Sequence, residues 1–258
     1  MYTDKREKQK TDLLVGRNAV FEALRAERPV DSVLIAKGNA RGAIHRIIEL
    51  CKKQKVVVKE VSPAKLDALC GGMNHQGVAA YTAAHTYSSV EDILQLAKER
   101  EEPPFLILCD DINDPHNLGA IIRTAECCGA HGVVIPKRGA VGLTAAVDKA
   151  ASGALEYLPV ARVPNLTSVI KELQKAGVWV YGTDASGKTF YKTDLSGPIA
   201  IVIGSEGQGI SRLVKETCDD TVSIPMHGKI TSLNASVAAG IVLYEVAKTR
   251  LQVGGNQG

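Results

Sequence analysis

Residues 105–119 read Phe105-Leu106-Ile107-Leu108-Cys109-Asp110-Asp111-Ile112-Asn113-Asp114-Pro115-His116-Asn117-Leu118-Gly119. Five consecutive apolar residues are typical of a strand that is buried on both faces of a parallel sheet. The polar turn that follows leads into an amphipathic helix, which we predict over 117–128. A strand, a polar turn and a helix in this order indicate an α/β fold, in which ligands bind at the carboxyl ends of the strands.

The same pattern continues to the end of the chain. Apolar runs predict further strands at 132–135, 178–181, 199–203 and 221–224, and helical patterns separate them at 166–176, 210–217 and 235–250. Alternation of strands and helices predicts a parallel sheet with helices on both faces. Two more polar turns follow these strands, over 203–211 and 224–236, and each is rich in Gly, Ser, Asn or Glu.

A smaller α/β unit is predicted before this sheet. Its helices are expected at 16–26, 42–54 and 63–69, and its strands at 32–36, 56–61 and 77–84. Ser62 can cap the third helix, and Pro63 suits its first position. The predicted organisation is a flexible leader at 1–12, a first domain at 13–85, a linker at 86–104 that holds a helix over 90–99, and a second domain at 105–258.

Composition narrows the class of protein. The 258 residues are 45% hydrophobic, which is ample for a packed core and excludes global disorder. No apolar run reaches 18 residues, so no membrane span is predicted, and the charged first ten residues lack the apolar centre of a secretion signal. The six cysteines contain no C-x-x-C pair. We therefore expect a cytoplasmic protein with reduced, mostly buried thiols and no metal site.

Charge is distributed unevenly along the chain. Residues 1–88 carry 15 Lys+Arg against 9 Asp+Glu, whereas the remaining 170 carry 16 against 19. A basic first third suggests a module that binds a polyanion. A soluble basic face without a partner explains the charge about equally well.

The polar turns supply the candidate functional residues. Asn117 can cap the helix over 117–128, where free backbone N–H groups favour an anion. Arg123 lies off the apolar face of that helix. It is either an ordinary surface residue or a side chain directed towards the helix N-terminus. Glu206 lies in a G-x-x-G-x-G loop, which differs from the dinucleotide-binding fingerprint but lets backbone approach a planar ligand.

The last helix is unusually poor in side-chain bulk near its start. Ala235, Ala238, Ala239 and Gly240 would let another element pack closely against it. A tightly packed core helix is the simplest explanation. A subunit interface or a chain threaded through a loop is the sharper alternative.

Taken together, the three turns resemble the three motifs of the SpoU family of RNA ribose 2′-O-methyltransferases, within the SPOUT class. The matching segments are residues 117–125, residues 203–209, and Ile224-Pro225-Met226 with Ser232-Leu233-Asn234-Ala235-Ser236. The first unit resembles the substrate-binding domain of members that act on 23S rRNA guanosine. The residues that carry this second likeness are Gly16-Arg17-Asn18-Ala19-Val20 and His75-Gln76-Gly77-Val78-Ala79.

The resemblance implies properties that composition and periodicity do not. It implies a C-terminal trefoil knot, a homodimer, and S-adenosylmethionine bound at the knot mainly by backbone groups. The matching cofactor positions are Gly204, Ile224 and Leu233, with Ser205 and Met226 nearby. The implied catalytic residues are Arg123, Asn117, Glu206, Asn234 and Ser236.

The implied reaction is methylation of a guanosine 2′-hydroxyl in 23S rRNA or a precursor ribosomal particle. Arg123 matches the family's essential Arg, and because Arg stays protonated we expect it to stabilise the developing alkoxide. Phosphate contacts are expected from Arg17, Arg25, Arg41 and Lys52. Two alternatives remain: a tRNA guanosine 2′-O-methyltransferase, and a non-catalytic RNA-binding ribosome-assembly protein. A dehydrogenase is disfavoured because the dinucleotide glycine pattern is missing.

Overall fold

The computed structural model describes residues 13–26, 28–38, 42–83 and 85–254, and it describes the side chains of these residues as far as residue 251. The predicted leader at 1–12 and the predicted phosphate contact of Arg41 lie outside these residues. The chain divides into two compact units. The first ends at Thr86 and also includes Leu143–Ala145, and the second contains Tyr87–Gly142 and Ala146 onwards.

The first unit is built on a mixed sheet. Its described strands have the order β1–β4–β2–β3, and only β2 and β3 are parallel. The elements are β1 (Leu13–Val15), α1 (Arg17–Arg25), β2 (Val30–Ala36), α2 (Ala43–Lys53), β3 (Val57–Val61), α3 (Pro63–Cys70) and β4 (Val78–Thr82).

Alternation along the strands gives this sheet two apolar faces. Val33 and Ile35 of β2 pack with α1 and α2, whereas Leu34 and Ala36 pack with Leu66 of α3. Successive side chains of a strand point to opposite faces, so one strand serves both layers. The predicted cap of α3 is confirmed, because the Lys65 amide donates to Ser62 Oγ at 3.3 Å.

The second unit is built on a parallel sheet. Its described strands have the order β10–β8–β9–β5–β6–β7, and every neighbouring pair is parallel, which confirms the predicted parallel α/β fold. The elements are α4 (Val90–Glu99), β5 (Phe105–Cys109), α5 (Pro115–Cys127), β6 (Gly132–Pro136), α6 (Ala145–Ala151), β7 (Val160–Val163), α7 (Leu166–Lys175), β8 (Trp179–Thr189), β9 (Ile199–Ile203), α8 (Arg212–Thr217), β10 (Asp220–Ser223) and α9 (Ala235–Gly254).

The predicted linker belongs to this second unit. A capping box starts α4, in which the Asp92 amide donates to Ser89 Oγ at 3.0 Å and the Ser89 amide donates to Asp92 Oδ2 at 2.8 Å. Val90 and Ile93 are buried in the core. A Cβ at Gly132 would lie 2.5 Å from Ile93 Cδ1, so the glycine leaves room for this side chain. The predicted linker at 86–104 is therefore corrected: its helix is part of the packed unit.

Other differences from the predicted elements are local. Helix α6 and strand β7 were not predicted, and β8 runs to Thr189, with residues 183–187 out of register with β10. The far end of α9 is fixed by Arg250, whose guanidinium donates to the carbonyls of Pro103, Pro104 and Gly197 at 2.8–3.0 Å. No helix in the described ranges is both long and apolar enough to cross a membrane.

All six cysteines lie in the described residues and are free thiols. Burial raises the pKa of Cys109 and of Cys218 to about 12, and nearby Asp110 adds to both effects. Since the thiolate is the reactive form, these two cysteines are poor nucleophiles at neutral pH. Four of the six are buried, as predicted for most of them, and Cys127 is exposed.

Candidate active site

The tips of two neighbouring strands bring the first two polar turns together. At the end of β5, the Asp110 amide donates to the Ile203 carbonyl of β9 at 2.8 Å. The Asp110 carboxylate in turn accepts the Ser211 amide at 2.7 Å, just before α8. Because parallel strands end at the same edge, the turn after β5 and the glycine loop after β9 lie side by side.

Helix α5 begins earlier than predicted. Asp114 is its N-cap, with Oδ1 accepting the His116 amide at 2.8 Å, and Pro115 takes the first helical position. The predicted capping role of Asn117 is therefore wrong. Asn117 lies in the first turn of the helix, which leaves its side-chain amide free to contact another segment.

Asn117 and Glu206 are joined across 89 positions of sequence. Asn117 Nδ2 donates to Glu206 Oε1 at 3.0 Å. Asn234 Nδ2 donates to Asn117 Oδ1 at 3.0 Å and also to Glu206 Oε1. These three residues form a cluster, called here the Asn–Glu–Asn cluster, in which each of the three motifs supplies one side chain.

The third member also caps the last helix. Asn234 Oδ1 accepts the Ser236 amide at 3.0 Å, the Ser236 hydroxyl at 2.6 Å and the Val237 amide at 3.3 Å. The Asn234 side chain is thereby fixed at both ends, with its oxygen on α9 and its nitrogen on the cluster. The structure brings together four of the five predicted catalytic residues: Asn117, Glu206, Asn234 and Ser236.

Arg123 is not part of this cluster. It lies on α5 six residues after Asn117, which corresponds to about 9 Å along the helix and about 120° around it. Its side chain is exposed, and it makes no hydrogen bond or ion pair with any residue that the structure describes. The guanidinium is therefore available to an external group.

Gly204 closes the glycine loop. A Cβ there would lie 2.1 Å from the Gly209 carbonyl carbon and 2.2 Å from the Ile210 nitrogen, so no larger residue fits without moving the loop. Ser205 and Gly209 exchange two backbone hydrogen bonds, at 3.1 and 2.9 Å. This closed loop carries Glu206 at its tip and fixes its direction.

The remaining predicted cofactor residues lie in an irregular loop between β10 and α9. Ile224 and Leu233 are half-buried and Met226 is exposed. None of residues 224–233 takes part in a backbone hydrogen bond with another described backbone group. Since backbone N–H and C=O groups need partners when covered, this loop suits a polar, planar ligand held by its main chain.

A cavity of about 270 Å³ adjoins the cluster. Asn117, Glu206 and Ser205 line it, as do Asp111, Asp114 and Gln208, which were not predicted as site residues. Their position in the first and second polar turns was the signal that could have identified them. A fixed carboxylate with two amides beside a cavity can hold and orient a hydroxylated ligand.

Two family models match this chain. The SpoU rRNA Methylase family matches residues 104–244, and the RNA 2′-O ribose methyltransferase substrate-binding family matches residues 13–88. The first match contains the whole Asn–Glu–Asn cluster and the glycine loop.

Individual relatives agree with the family models. YacO of Bacillus subtilis (strain 168), whose name places it in the TrmH family of tRNA/rRNA methyltransferases, is 49% identical over 247 residues, covering 95% of this chain and 99% of its own. A TrmH-family protein of Staphylococcus aureus (strain MSSA476) is 46% identical over 94% of this chain and 98% of its own.

A solved structure is also similar in fold. It is the SpoU methyltransferase AviRb from Streptomyces viridochromogenes in complex with the cofactor AdoMet. The match has a TM-score of 0.58 and 28% identity, and it covers 93% of this chain and 90% of AviRb. On its family match, its near-full-length relatives and its fold, the chain belongs to the SpoU, or TrmH, family of RNA methyltransferases.

Proposed function

We propose that this protein transfers a methyl group from S-adenosylmethionine to the ribose 2′-hydroxyl of a guanosine in 23S rRNA. The observation that carries the proposal is the Asn–Glu–Asn cluster, because it joins all three family motifs at one cavity. Membership of an RNA methyltransferase family supports the reaction class. The match of residues 13–88 to a 2′-O ribose methyltransferase substrate-binding family supports the ribose as the target.

The residues present fit the proposed cofactor. AviRb is bound to AdoMet in its crystal structure, and the loop 224–233 of this chain offers unpaired backbone groups beside half-buried Ile224 and Leu233. The closed loop at Gly204 and Ser205 would form the neighbouring wall. When bound, S-adenosylmethionine supplies an electrophilic methyl group on a sulfonium.

The chain's own residues have to make a ribose hydroxyl reactive. A 2′-hydroxyl is a weak nucleophile at neutral pH, so its developing negative charge needs stabilisation. We assign this task to Arg123, which is exposed and without a partner among the described residues. Since Arg123 lies about two turns of α5 away from the cluster, RNA contacts or a second protomer must complete its placement.

The cluster positions groups and does not itself react. Glu206 accepts from Asn117 and Asn234, which holds the starts of α5 and α9 in a fixed relation to the glycine loop. A displacement reaction needs the two reacting atoms within about 3–3.5 Å and in line. We assign Asn117, Glu206, Asn234 and Ser236 to that alignment.

The basic first unit is proposed to bind the RNA. Arg25 is exposed and pairs only weakly with exposed Glu22, at 3.4 Å, and Lys52 is exposed near the end of α2. Arg17 Nε donates to the Gln76 carbonyl at 2.9 Å, which joins the two segments that carry the family likeness of this unit. Removing residues 1–86 should abolish methylation of the natural RNA and leave cofactor binding intact.

The choice between rRNA and tRNA rests on the first unit. The names of the relatives include both substrates, and a tRNA guanosine 2′-O-methyltransferase is the alternative. A separate substrate-binding domain favours rRNA, either naked or in a precursor particle. We also propose the cytoplasm as the location, because free thiols such as the six of this chain are typical of a reducing compartment.

Methyl transfer to unmodified 23S rRNA and to unmodified tRNA decides between these substrates. Incorporation from labelled S-adenosylmethionine, followed by nuclease digestion and mass spectrometry, should give 2′-O-methylguanosine from the rRNA alone. Label in tRNA alone would show that tRNA is the substrate. Label in neither RNA would favour a non-catalytic RNA-binding protein, whether or not calorimetry shows that the cofactor binds.

Two further features of the family are proposed for this chain. A homodimer is supported by α9, where Val237, Tyr244 and Leu251 are exposed at intervals of seven residues and so form an apolar stripe. A trefoil knot formed by the chain around residues 204–235 is supported by the likeness of the whole chain to AviRb. A crystal structure traced from end to end would test both features.

A further inference from the structure

A second and larger cavity lies in the second unit, beside the one at the cluster. Its volume is about 620 Å³, within the ~300–1,000 Å³ that small-ligand sites occupy. The turns after β5, β6, β7 and β9 line it, so it opens at the carboxyl edge of the sheet. Of the five residues predicted for the cofactor, Ser205 alone lines this cavity.

The two cavities are neighbours. Asp111, Ser205 and Gln208 line both of them. A chain bound at the Asn–Glu–Asn cluster in the smaller cavity needs only to pass these shared residues to reach the larger one. A polymer strand meets this description, whereas a compact cofactor would occupy one cavity.

The turns after β5 and β6, which form one wall of the larger cavity, are in direct contact. The Val141 amide donates to the Ile112 carbonyl at 3.0 Å. Gly139 has a φ of 73°, and a Cβ there would lie 3.0 Å from Asp111 Oδ1, so this glycine gives the Asp111 side chain its room. The cavity is thus a fixed feature of these turns.

Its lining combines cations with acceptors. Arg138 is exposed and has no hydrogen-bond or ion-pair partner in the described ranges, and Arg212 is exposed with a 3.5 Å contact to Glu216. Asp110 Oδ1 and Asp111 Oδ2 accept no hydrogen bond from the residues that the structure describes. Exposed guanidinium groups suit phosphates, and free carboxylate oxygens suit the amino and imino donors of bases.

We propose that this larger cavity binds the nucleotide next to the methylated one, with Arg138 and Arg212 on the phosphodiester and the Asp110–Asp111 edge on the base. The inference rests on the proposed function for the RNA, and it adds a binding site in the second unit. Such a site makes the enzyme select local sequence, independently of the RNA bound by the first unit.

Methyl NMR tests the site directly, since Leu213 lines the larger cavity with an exposed side chain and Ile112 lines the smaller one. The full chain, labelled at Leu and Ile methyls, is titrated with the trinucleotide pGpGpG and separately with S-adenosylhomocysteine. The trinucleotide should shift Leu213, and Arg138→Gln should weaken its binding at least about fivefold. Arg100→Gln is the matched control. Exposed Arg100 lies between α4 and β5, towards the amino ends of the parallel strands, whereas the cavity opens at their carboxyl ends.

Two results would overturn the proposal. One is a Leu213 methyl resonance that does not move with the trinucleotide. The other is a Leu213 methyl resonance that moves with S-adenosylhomocysteine and not with the trinucleotide, since the cavity would then belong to the cofactor.

Activity measured in parallel separates this proposal from the proposed function. If the wild type methylates RNA and Arg138→Gln and Arg212→Gln leave its KM for RNA unchanged, the function stands and the site fails. If the wild type methylates no RNA while the trinucleotide shifts Leu213, the site stands and the function fails. The expected result is a KM raised about fivefold by each variant, with a reduced dependence of binding on salt.

Discussion

Asn117 Nδ2 lies 3.0 Å from Glu206 Oε1, so the first turn of α5 is bonded directly to the tip of the glycine loop. Asn234 completes the contact from the N-cap of α9. One carboxylate oxygen thereby connects three segments that are far apart in sequence. A carboxylate suits the position between Asn117 and Asn234 because an acceptor fits between two amide donors.

Glu206→Gln should slow methyl transfer by about 10- to 100-fold, because hydrogen bonds to a charged group contribute about 1.5–3 kcal/mol each and a neutral amide weakens two of them. The fold should remain, since Glu206 is exposed. Single-turnover rates and calorimetric unfolding measure the two effects. Glu99→Gln on α4 is the matched control, and an unchanged rate in Glu206→Gln would contradict the role of the cluster.

Arg123→Ala should abolish methyl transfer while S-adenosylmethionine binds as in the wild type. Arg123 is exposed and makes no hydrogen bond or ion pair with the described residues, so its loss should disturb neither the fold nor the cofactor loop. Calorimetric binding and the transfer assay, run on the same preparation, separate these properties. Arg100→Ala should be active, and parallel loss of binding and transfer in Arg123→Ala would show that the assigned role is wrong.

Gly204→Ala should weaken cofactor binding at least about tenfold and lower the melting temperature, because its Cβ would lie 2.1 Å from the Gly209 backbone. Gly240→Ala is the matched control for stability, because its Cβ would meet only Thr124 Cγ2, at 3.9 Å. Thermal unfolding and calorimetry measure both variants. A Gly204→Ala protein with normal stability and binding would show that the loop is not constrained as described.

Falling pH should destabilise the second unit through His131. Its ring is fully buried, Nδ1 accepts the Phe105 amide at 3.0 Å, and Nε2–H donates to Glu102 at 3.0 Å. Burial lowers the pKa of His131 below 6.5, although Glu102 opposes this effect. The neutral ring therefore stabilises the fold fully above pH 6.5, and this stabilisation is lost as the pH falls from there towards the lowered pKa.

Urea unfolding at pH 7.5 and 5.5 measures this dependence. The wild type should lose stability at the lower pH, and His131→Asn should show a smaller difference between the two. Equal differences in both proteins would assign the pH dependence to other groups.

Tyr244→Asp should convert the proposed dimer into a monomer. Tyr244 is 65% exposed at the centre of the α9 stripe, and a charge there would have to be buried on association. Light scattering after gel filtration gives the mass of each variant. As a control, Tyr157→Asp changes another exposed tyrosine, which lies outside α9. A dimer that survives Tyr244→Asp would exclude this stripe as the interface.

Strands β5, β6 and β9 of the parallel sheet could be predicted because they are continuous apolar runs. Strand β7 could not be predicted because its four residues include Arg162 and follow a segment without a clear hydrophobic period. The start of α5 was misplaced because Asn117 is a good capping residue, yet Asp114 before Pro115 is better, since proline suits the first helical position.

The linker shows a different limit. The helix at 90–99 was predicted with its correct bounds. Its place in the core depends on the room that Gly132 leaves for Ile93, which is a tertiary contact between distant residues. Sequence patterns give the apolar face of such a helix but not its partner.

The residues that belong to the candidate site could be predicted better than their arrangement in space. The strand-edge rule and the family resemblance identified Asn117, Glu206 and Asn234, and the structure joins them. The same reasoning did not show that Arg123 lies apart from them. The spacing along α5 predicts this separation, because two side chains six residues apart lie on different sides of a helix.

The most direct test of the central claim replaces the 2′-hydroxyl itself. Once mass spectrometry has located the methylated nucleotide, two otherwise identical RNAs are compared, one with guanosine and one with 2′-deoxyguanosine at that position. Methylation of the ribose oxygen predicts label from S-adenosylmethionine in the first RNA and none in the second. Equal labelling of both RNAs would place the methyl group on the base and contradict the proposed reaction.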